Sequence, residues 1–525
     1  MKEKVLPTFG INSKISKIFS KYTVFLVMII GIALSIRLYF FPIDVPLNND
    51  ALYYFWYSAD IYHIGGLPKE WSPDNNGWSI FTSIFFIMSD SKDIFALMQI
   101  QRLLSVLASI LVIIPTYFLC KKFVPRKLAL IGASFVAFDP RLMINSFLGV
   151  TEPIYLLLIT TSLTLFLFSN KKIVYFSFAL VALATIIRSE GLSFFVVLSI
   201  MFLIRYRKEK YKVFLKYFLA LGIFILIILP VIFYHIEVNG TDGIFMRNFI
   251  SGNNLVSSVV SNDSRNSIIS GLELFIKYLV WVMIPNFIIF IPLGLFLIFQ
   301  KRNFEKNTII LSLGIMSIPA LYTYTSTIAD TRYLYVLFPM FSILAVLSIE
   351  KIAHKLNKPN ILVFVIISAI IVTSVLFYDQ QKIDYKHERE SFEVMKKISS
   401  MVKGTNVLYQ ESYYFNTIQT IEQWPNTHTE MGLGTKYDII TIPIKNFNYL
   451  ENYILESKDN GLTHIITDNK KERLGFLRDV FFEEGNYPYL KKIYDSKSDG
   501  FTYHVKVFKI DYELFDSLKV NVGSK

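Results

Sequence analysis

The sequence predicts a mainly α-helical polytopic membrane protein of about eleven transmembrane helices, N-terminus inside, followed by a small extracytoplasmic α/β domain. Three observations carry that prediction. Apolar residues fall in helix-length blocks through the first 380 residues; basic residues crowd every second connection between blocks; and the composition changes near residue 380. At 53% hydrophobic and 18% charged over 525 residues, the chain is too apolar for a soluble domain of its size.

A bilayer core of about 30 Å needs about 20 helical residues to cross it. Spans are expected near 22–41, 94–119, 125–146, 151–169, 172–188, 190–204, 213–235, 272–299, 307–325, 333–349 and 360–378. The shorter run 78–88 reads as an interfacial or re-entrant piece. Lys and Arg gather in "KISKIFSKY", "KKFVPRK", "NKK", "RYRKEKYK", "QKRNFEKN" and "EKIAHKLNK", while the intervening loops 42–93 and 236–271 hold few. By the positive-inside rule the basic clusters face the cytoplasm. An odd number of spans then puts the C-terminal segment outside. The net charge of +12 is thereby explained by topology and makes no case for nucleic acid.

Residues 22–41 are long for a signal-peptide core and no small-residue cleavage site follows, so they are expected to stay as a signal anchor. The single Cys120 excludes an internal disulfide and reads as packing. Seven scattered histidines show no zinc-ligand spacing. Two sequons, at Asn239 and Asn262, fall in a loop expected outside.

The transmembrane domain is expected to span 1–380 and the external α/β domain 381–525. In the latter, 382–402 has helical spacing, "NVLYQES", "YDIITIPI", "THIITDN" and "HVKVFKID" read as strands, and 446–458 and 470–484 as helices. No Gly-rich phosphate loop or nucleophile elbow stands there, which suits a lid or acceptor-docking module better than a catalytic domain.

Ionisable residues beside the apolar blocks collect on the external side. Asp50 lies in the first loop, Glu152 opens a span in "GVTEPIYLLL", Arg188 and Glu190 share the turn "IIRSEGLSFF", Arg332 precedes a span in "ADTRYLYVLFP", and Arg102 lies near an outer helix end. Such groups are costly at a membrane and are functional candidates. Each also has a plainer reading. Glu152 before Pro153 suits a helix start, Arg188 and Arg102 can snorkel to headgroups, Asp50 can be a wet loop carboxylate, and Asp44 and Asp60 read as solvated. The rings at 53–57 read as an interfacial aromatic belt. If 50–60 is helical, however, Tyr53, Tyr54 and Tyr57 share a face with Asp50 and make a sugar-binding shelf. Carboxylates and arginines together at an outer membrane face suit a lipid-linked phosphosugar. Arginine pairs bidentately with phosphate, and a carboxylate can take the proton from an attacking hydroxyl.

At these residues the chain resembles the polytopic glycosyltransferases of the C superfamily, in the branch of the dolichyl-phosphate-mannose protein mannosyltransferases and aminoarabinose lipid A transferases. The matching stretches are "NNDALYY", "QRLLSVLASILVIIPTYFLCKKF", "FDPRLMINSFLGVTEPIYLLLITTSL" and "RSEGL", with "TRYLYVLFPMFSILA" later, together covering most of 20–380. The resemblance implies Asp50 as catalytic base, Glu152 as a second acidic residue, and Arg188 and Arg332 as ligands of the donor phosphate; Arg102 is expected at the same phosphate, and Tyr53, Tyr54 and Glu190 at sugar or acceptor. It implies an inverting transfer from a polyprenyl-phosphate monosaccharide to a glycan, lipid or protein, in the plasma membrane, on the extracytoplasmic side. A divalent cation, Mg or Mn, serves some relatives and not others. The chain departs from the pattern in having a lone Asp50 after Asn48-Asn49 and Ser189 where proline is more familiar; the oligosaccharyltransferase signature "WWDYG" is absent. The competing classes are a secondary transporter and a non-enzymatic sensor or scaffold working through its external domain.

Overall fold

The computed structural model describes residues 21–168, 172–246, 265–325, 329–354, 359–381, 383–402, 406–408, 414, 417–418, 449–459, 461–471, 473 and 475–522. Its chain divides into two compact units. The first comprises 1–42, 74–78 and 101–382; the second comprises 43–73, 79–100 and 383–525.

Helices occupy each apolar block of the sequence. Among the described residues six are long and apolar enough to cross a membrane, or seven if one bent pair is a single span. The chain is a multi-pass membrane protein. Three helices of the first unit, α1 (Glu152–Leu167), α2 (Ile173–Ile187) and α3 (Gly191–Tyr206), have 16, 15 and 16 residues. At 1.5 Å per residue they reach only about 24 Å, short of a full hydrocarbon core.

Two expected spans are interrupted, each for a local reason. The block 125–146 is bent by 48° between Arg126–Phe138 and Pro140–Ser146. There Asp139 caps the second helix, accepting the backbone N–H of Arg141 (2.9 Å) and Leu142 (3.1 Å), and Pro140 occupies its first turn. The block 272–299 divides into Arg265–Met283 and α4 (Ile291–Phe299), with Pro285, which cannot donate a backbone hydrogen bond, in the break.

Among the described residues the most buried candidate span is Thr331–Ala353, a 3₁₀ turn (Thr331–Leu337) leading into α5 (Phe338–Ala353). It can be so buried because small residues let backbones approach closely. A Cβ on Gly294 of α4 would stand 2.2 Å from the Leu344 carbonyl oxygen. Phe287 fills the adjoining space, stacked on Phe135 (4.9 Å) and edge-on to Phe338 (5.5 Å). Cys120 is buried, as a packing thiol would be. Arg37, in Lys21–Tyr39, is buried and spends its guanidinium on the carbonyl of Ala137 (2.7 Å) and the hydroxyl of Ser109 (3.2 Å).

The second unit joins the first-loop segment to the C-terminal segment. Helix α6 (Asn49–Ile64) is fixed by Trp56, whose indole donates to Thr417 Oγ1 at 2.7 Å. Asp44 pairs with Arg389 at 2.7 Å, and Phe95 lies 5.7 Å from Phe392. The run 78–88 is a helix, Gly77–Ser89. Four strands, β1 (Asn406–Leu408), β2 (Leu462–Asp468), β3 (Leu490–Asp495) and β4 (Val505–Ile510), form one sheet in the order β1-β2-β4-β3. β1 runs parallel to β2, and the other pairs are antiparallel. The expected helices appear as Lys386–Met401, Leu450–Lys458 and Gly475–Phe482. The expected strand "YDIITIPI" and the sequon at Asn262 lie outside the described residues. β3 is an addition to the sequence reading. Its "LKKIYD" carries two exposed lysines on an edge strand, which weakens the alternation signal while guarding the edge.

At the end of β2 the buried Asp468 accepts from Arg473 Nε (2.8 Å) and from the Tyr503 hydroxyl (2.7 Å). Burial alone would push this carboxyl up, but those hydrogen bonds outweigh it and hold it below the ordinary aspartate range. The charged form therefore stabilises the fold above the ordinary value of about 4, and this contribution is lost as pH falls below it. In thermal unfolding of the full chain in detergent, the gap in melting temperature between parent and Asp468→Asn should be steady from about pH 7 to 5 and close as pH drops toward about 3. A gap independent of pH would contradict this. In the first unit, Gly294→Ala should cost about 1–3 kcal/mol by overpacking against Leu344, read as a lowered unfolding midpoint.

Candidate active site

The site of the first unit is assembled from three chain turns. Glu152 stands in the first turn of α1 next to Pro153, where the helix dipole favours an acid and the proline lacks only a hydrogen that has no helical partner. Arg188 closes α2 with extended backbone (φ −148°, ψ 124°), so the helix stops there. A tight turn restarts it, with Gly191 N–H donating to the Arg188 carbonyl (2.9 Å). A Cβ on Gly191 would lie 2.6 Å from Thr185 Oγ1 and 2.7 Å from its backbone nitrogen, so no larger residue fits. Asn75 Oδ1 accepts the Ser189 N–H at 3.2 Å, tying down the turn. Arg332 opens the 3₁₀ turn under Asp330, whose carboxylate accepts both the Arg332 N–H (2.8 Å) and its Nε (2.6 Å).

These turns converge on one carboxylate oxygen. Glu152 Oε1 receives Arg188 Nη1 at 2.7 Å and has Arg332 Nη1 at 3.7 Å. Arg188 also donates to Glu190 Oε1 (2.8 Å) and Thr151 Oγ1 (3.1 Å), with the rings of Tyr155 and Tyr333 at 5.9 and 5.7 Å. The guanidinium is thus held by three oxygens and flanked by two π faces, a fit that lysine could not reproduce. The cleft beside this cluster is lined by Glu152, Tyr155, Arg188, Glu190, Arg332 and Tyr333, backed by apolar residues such as Leu156 and Met316. Its immediate charge is mixed: Glu152, Glu190 and Asp330 stand against Arg188 and Arg332.

Four of the sequence candidates therefore meet in one place: Glu152, Arg188, Glu190 and Arg332. Arg102 does not line this cleft. It is buried, and its Nε and Nη1 donate to the carbonyls of Phe147 (2.7 Å) and Pro42 (3.1 Å). Asp50, Tyr53 and Tyr54 belong to the second unit. Asp50 is exposed in the first turn of α6, directly after Asn49, which takes the left-handed φ of +47° that asparagine tolerates. Tyr53 is exposed and lies 6.2 Å from Tyr54 and 5.7 Å from Trp71. Tyr57, expected on the same face, is fully buried against Trp71. Asp60, expected solvated, is instead fully buried and accepts the Trp71 indole N–H at 2.8 Å, because its helix face turns inward.

Sequence reasoning passed over Asp330, Tyr155 and Tyr333. Asp330 had a readable signal, an acid two residues before Arg332 at a helix start. The two tyrosines had none, since a ring in an apolar block reads as core. No group of three or more His, Cys, Asp or Glu among the described residues could hold a metal ion. The carboxylates of this cluster, Glu152, Glu190 and Asp330, are each paired with an arginine.

No protein-family model matches the chain, nor does any curated protein sequence. Solved structures do. ArnT from Cupriavidus metallidurans bound to undecaprenyl phosphate matches with a TM-score of 0.59 at 10% identity, over 93% of this chain and 98% of that one. The oligosaccharyltransferase of Archaeoglobus fulgidus in its apo form matches with a TM-score of 0.59 at 11% identity, over 85% of this chain and 69% of that one. The same archaeal enzyme, AglB, in complex with an inhibitory peptide and a dolichol-phosphate, matches with a TM-score of 0.54 at 12% identity, over 89% and 72%. The chain shares its fold with these proteins. At these identities the likeness concerns the path of the backbone.

Removing Arg188 leaves Glu152 buried with a weaker partner, so Arg188→Met should destabilise the first unit by about 3 kcal/mol. The double substitution Arg188→Met/Glu152→Leu should recover much of that loss, because it removes the stranded charge as well. Unfolding midpoints of the four proteins in detergent complete the cycle; a double variant as unstable as the sum of the singles would contradict a buried pair.

Proposed function

We propose that this protein is an inverting glycosyltransferase that moves a single sugar from a polyprenyl-phosphate donor to an acceptor hydroxyl at the extracytoplasmic face of the plasma membrane. The observation that carries the reading is the convergence of Arg188 and Arg332 on Glu152 at the head of a short helix, beside an open cleft. Guanidiniums held this rigidly suit a phosphate whose lipid tail remains in the bilayer. Two proteins of the same fold are described with undecaprenyl phosphate and with a dolichol-phosphate bound.

In the reaction, the Asp50 carboxylate takes the proton of the acceptor hydroxyl as its oxygen attacks the anomeric carbon. The bond from that carbon to the phosphate oxygen breaks, and polyprenyl phosphate leaves with the electron pair. Arg188 and Arg332 balance the charge building on it. One displacement inverts the anomeric configuration. Asp50 takes this role from the resemblance of "NNDALYY" to the family's first loop, and its exposed place in the first turn of α6 is compatible with it. The domain from residue 381 serves in this reading to select the acceptor. It shares a compact unit with α6 through Trp56–Thr417 and Asp44–Arg389, which couples acceptor docking to the helix that carries the base.

A secondary transporter would place ionisable groups near the bilayer midplane in broken helices of repeated halves. Here Glu152 begins a helix and Arg188 ends one.

The test is transfer of labelled sugar from polyprenyl-phosphate hexoses to a crude acceptor extract in membranes containing the protein. Asp50→Asn should lower the rate at least about 100-fold at equal expression. Arg188→Lys should weaken binding of bare undecaprenyl phosphate about tenfold, since lysine keeps the charge and loses the fork. Equal transfer by the parent and Asp50→Asn would remove Asp50 from the mechanism.

A further inference from the structure

Among the polar atoms of the cleft, Oε2 of Glu152 and the hydroxyl of Tyr155 have no hydrogen-bond partner among the described residues. Their residues are 7% and 5% exposed, so bulk water does not serve these atoms freely. They stand three residues apart on α1, on one helix face, and both line the same cleft. The other carboxylate oxygen of Glu152 is already engaged with the arginines.

The chemistry of the two atoms narrows what can complete them. An ionised carboxylate oxygen only accepts, whereas a phenol hydroxyl donates and accepts. A phosphate oxygen would repel Glu152 Oε2, and a hydrocarbon tail would leave both atoms unmet. A pair of neighbouring alcohol groups satisfies both: one hydroxyl donates to the carboxylate, and the other exchanges a hydrogen bond with the phenol. The arginines beside them are where the proposed function puts the phosphate, and the sugar is attached directly to that phosphate.

We propose that Glu152 Oε2 and the Tyr155 hydroxyl read the hydroxyl groups of the donor sugar, making this edge of α1 a specificity-determining subsite. The subsite rests on the donor reading above. Glu152 then has two duties on two oxygens, anchoring the arginines through Oε1 and reading the sugar through Oε2. A site built to hydrogen-bond a hydroxyl rejects the analogue that lacks it far more strongly than an apolar pocket could.

The experiment uses the full-length protein in lipid nanodiscs. Dissociation constants are measured for bare undecaprenyl phosphate and for the same lipid carrying glucose, mannose or galactose. At least one sugar-bearing lipid should bind about tenfold or more tighter than the bare lipid, and Tyr155→Phe should erase most of that gain, since it removes one oxygen and keeps the ring beside Arg188. If no sugar improves on bare lipid, or if Tyr155→Phe keeps the whole gain, the subsite is overturned while the phosphate reading stands. If bare undecaprenyl phosphate does not bind the parent protein at all, both fall together. Should Tyr155→Phe fail to fold, monodeoxy forms of the best sugar on the parent decide: loss of the gain for one of them supports the subsite, and equal binding of all of them overturns it.

Discussion

The first unit is organised around a carboxylate that cannot be left alone. Glu152 is buried at the head of α1, where an isolated charge would be prohibitively expensive. Its Oε1 is therefore met by Arg188 from the end of α2 and approached by Arg332 from the 3₁₀ turn before α5. Each of those arginines needs a fixed backbone. The close fit of Gly191 against Thr185 supplies it for one, and the Asp330 cap for the other. A single buried charge thus dictates where three chain turns must lie, and the cleft is the space they leave between them.

The rest of that unit serves this geometry by holding helices close. Gly294 brings α4 against α5, and the Asp139–Pro140 break lets one block bend. Arg37 and Arg102 spend their charges on carbonyls and hydroxyls of other segments, acting as cross-links. These two show that an arginine beside an apolar block has two uses. It is structural when backbone oxygens take its hydrogens, and available for chemistry when carboxylates hold it at the rim of a cleft. In the second unit, Trp56 and Arg389 join the first-loop segment to the C-terminal one, so residues far apart in sequence form one core.

Much of this was legible in the chain. Helices stand at every apolar block, while the second unit takes in 43–73 and 79–100 as well as 383–525. The motifs "TEP", "RSEG" and "TRY" pointed to Glu152, Arg188, Glu190 and Arg332, which do meet. What escaped had physical reasons. Tyr155 and Tyr333 look like core rings until a cleft is seen beside them. Asp60 looks solvated until Trp71 covers it. Strand β3 is an edge strand whose lysines dilute its pattern. Arg102 stands beside an apolar block just as Arg188 does, yet it donates to the carbonyls of Phe147 and Pro42 and does not line the cleft.

The sequence by itself determined the membrane class, the helical blocks and the residue types available at their ends. Those follow from hydropathy, charge sidedness and helix-end chemistry, all of which act over a few neighbouring residues. The tertiary structure alone decided which arginines share Glu152, which polar atoms stay unmet in the cleft, and that the first-loop segment packs with the C-terminal one. Those outcomes depend on contacts between residues tens to hundreds of positions apart. They are settled when buried charges must find partners and small residues let helices close on one another, neither of which any local stretch encodes.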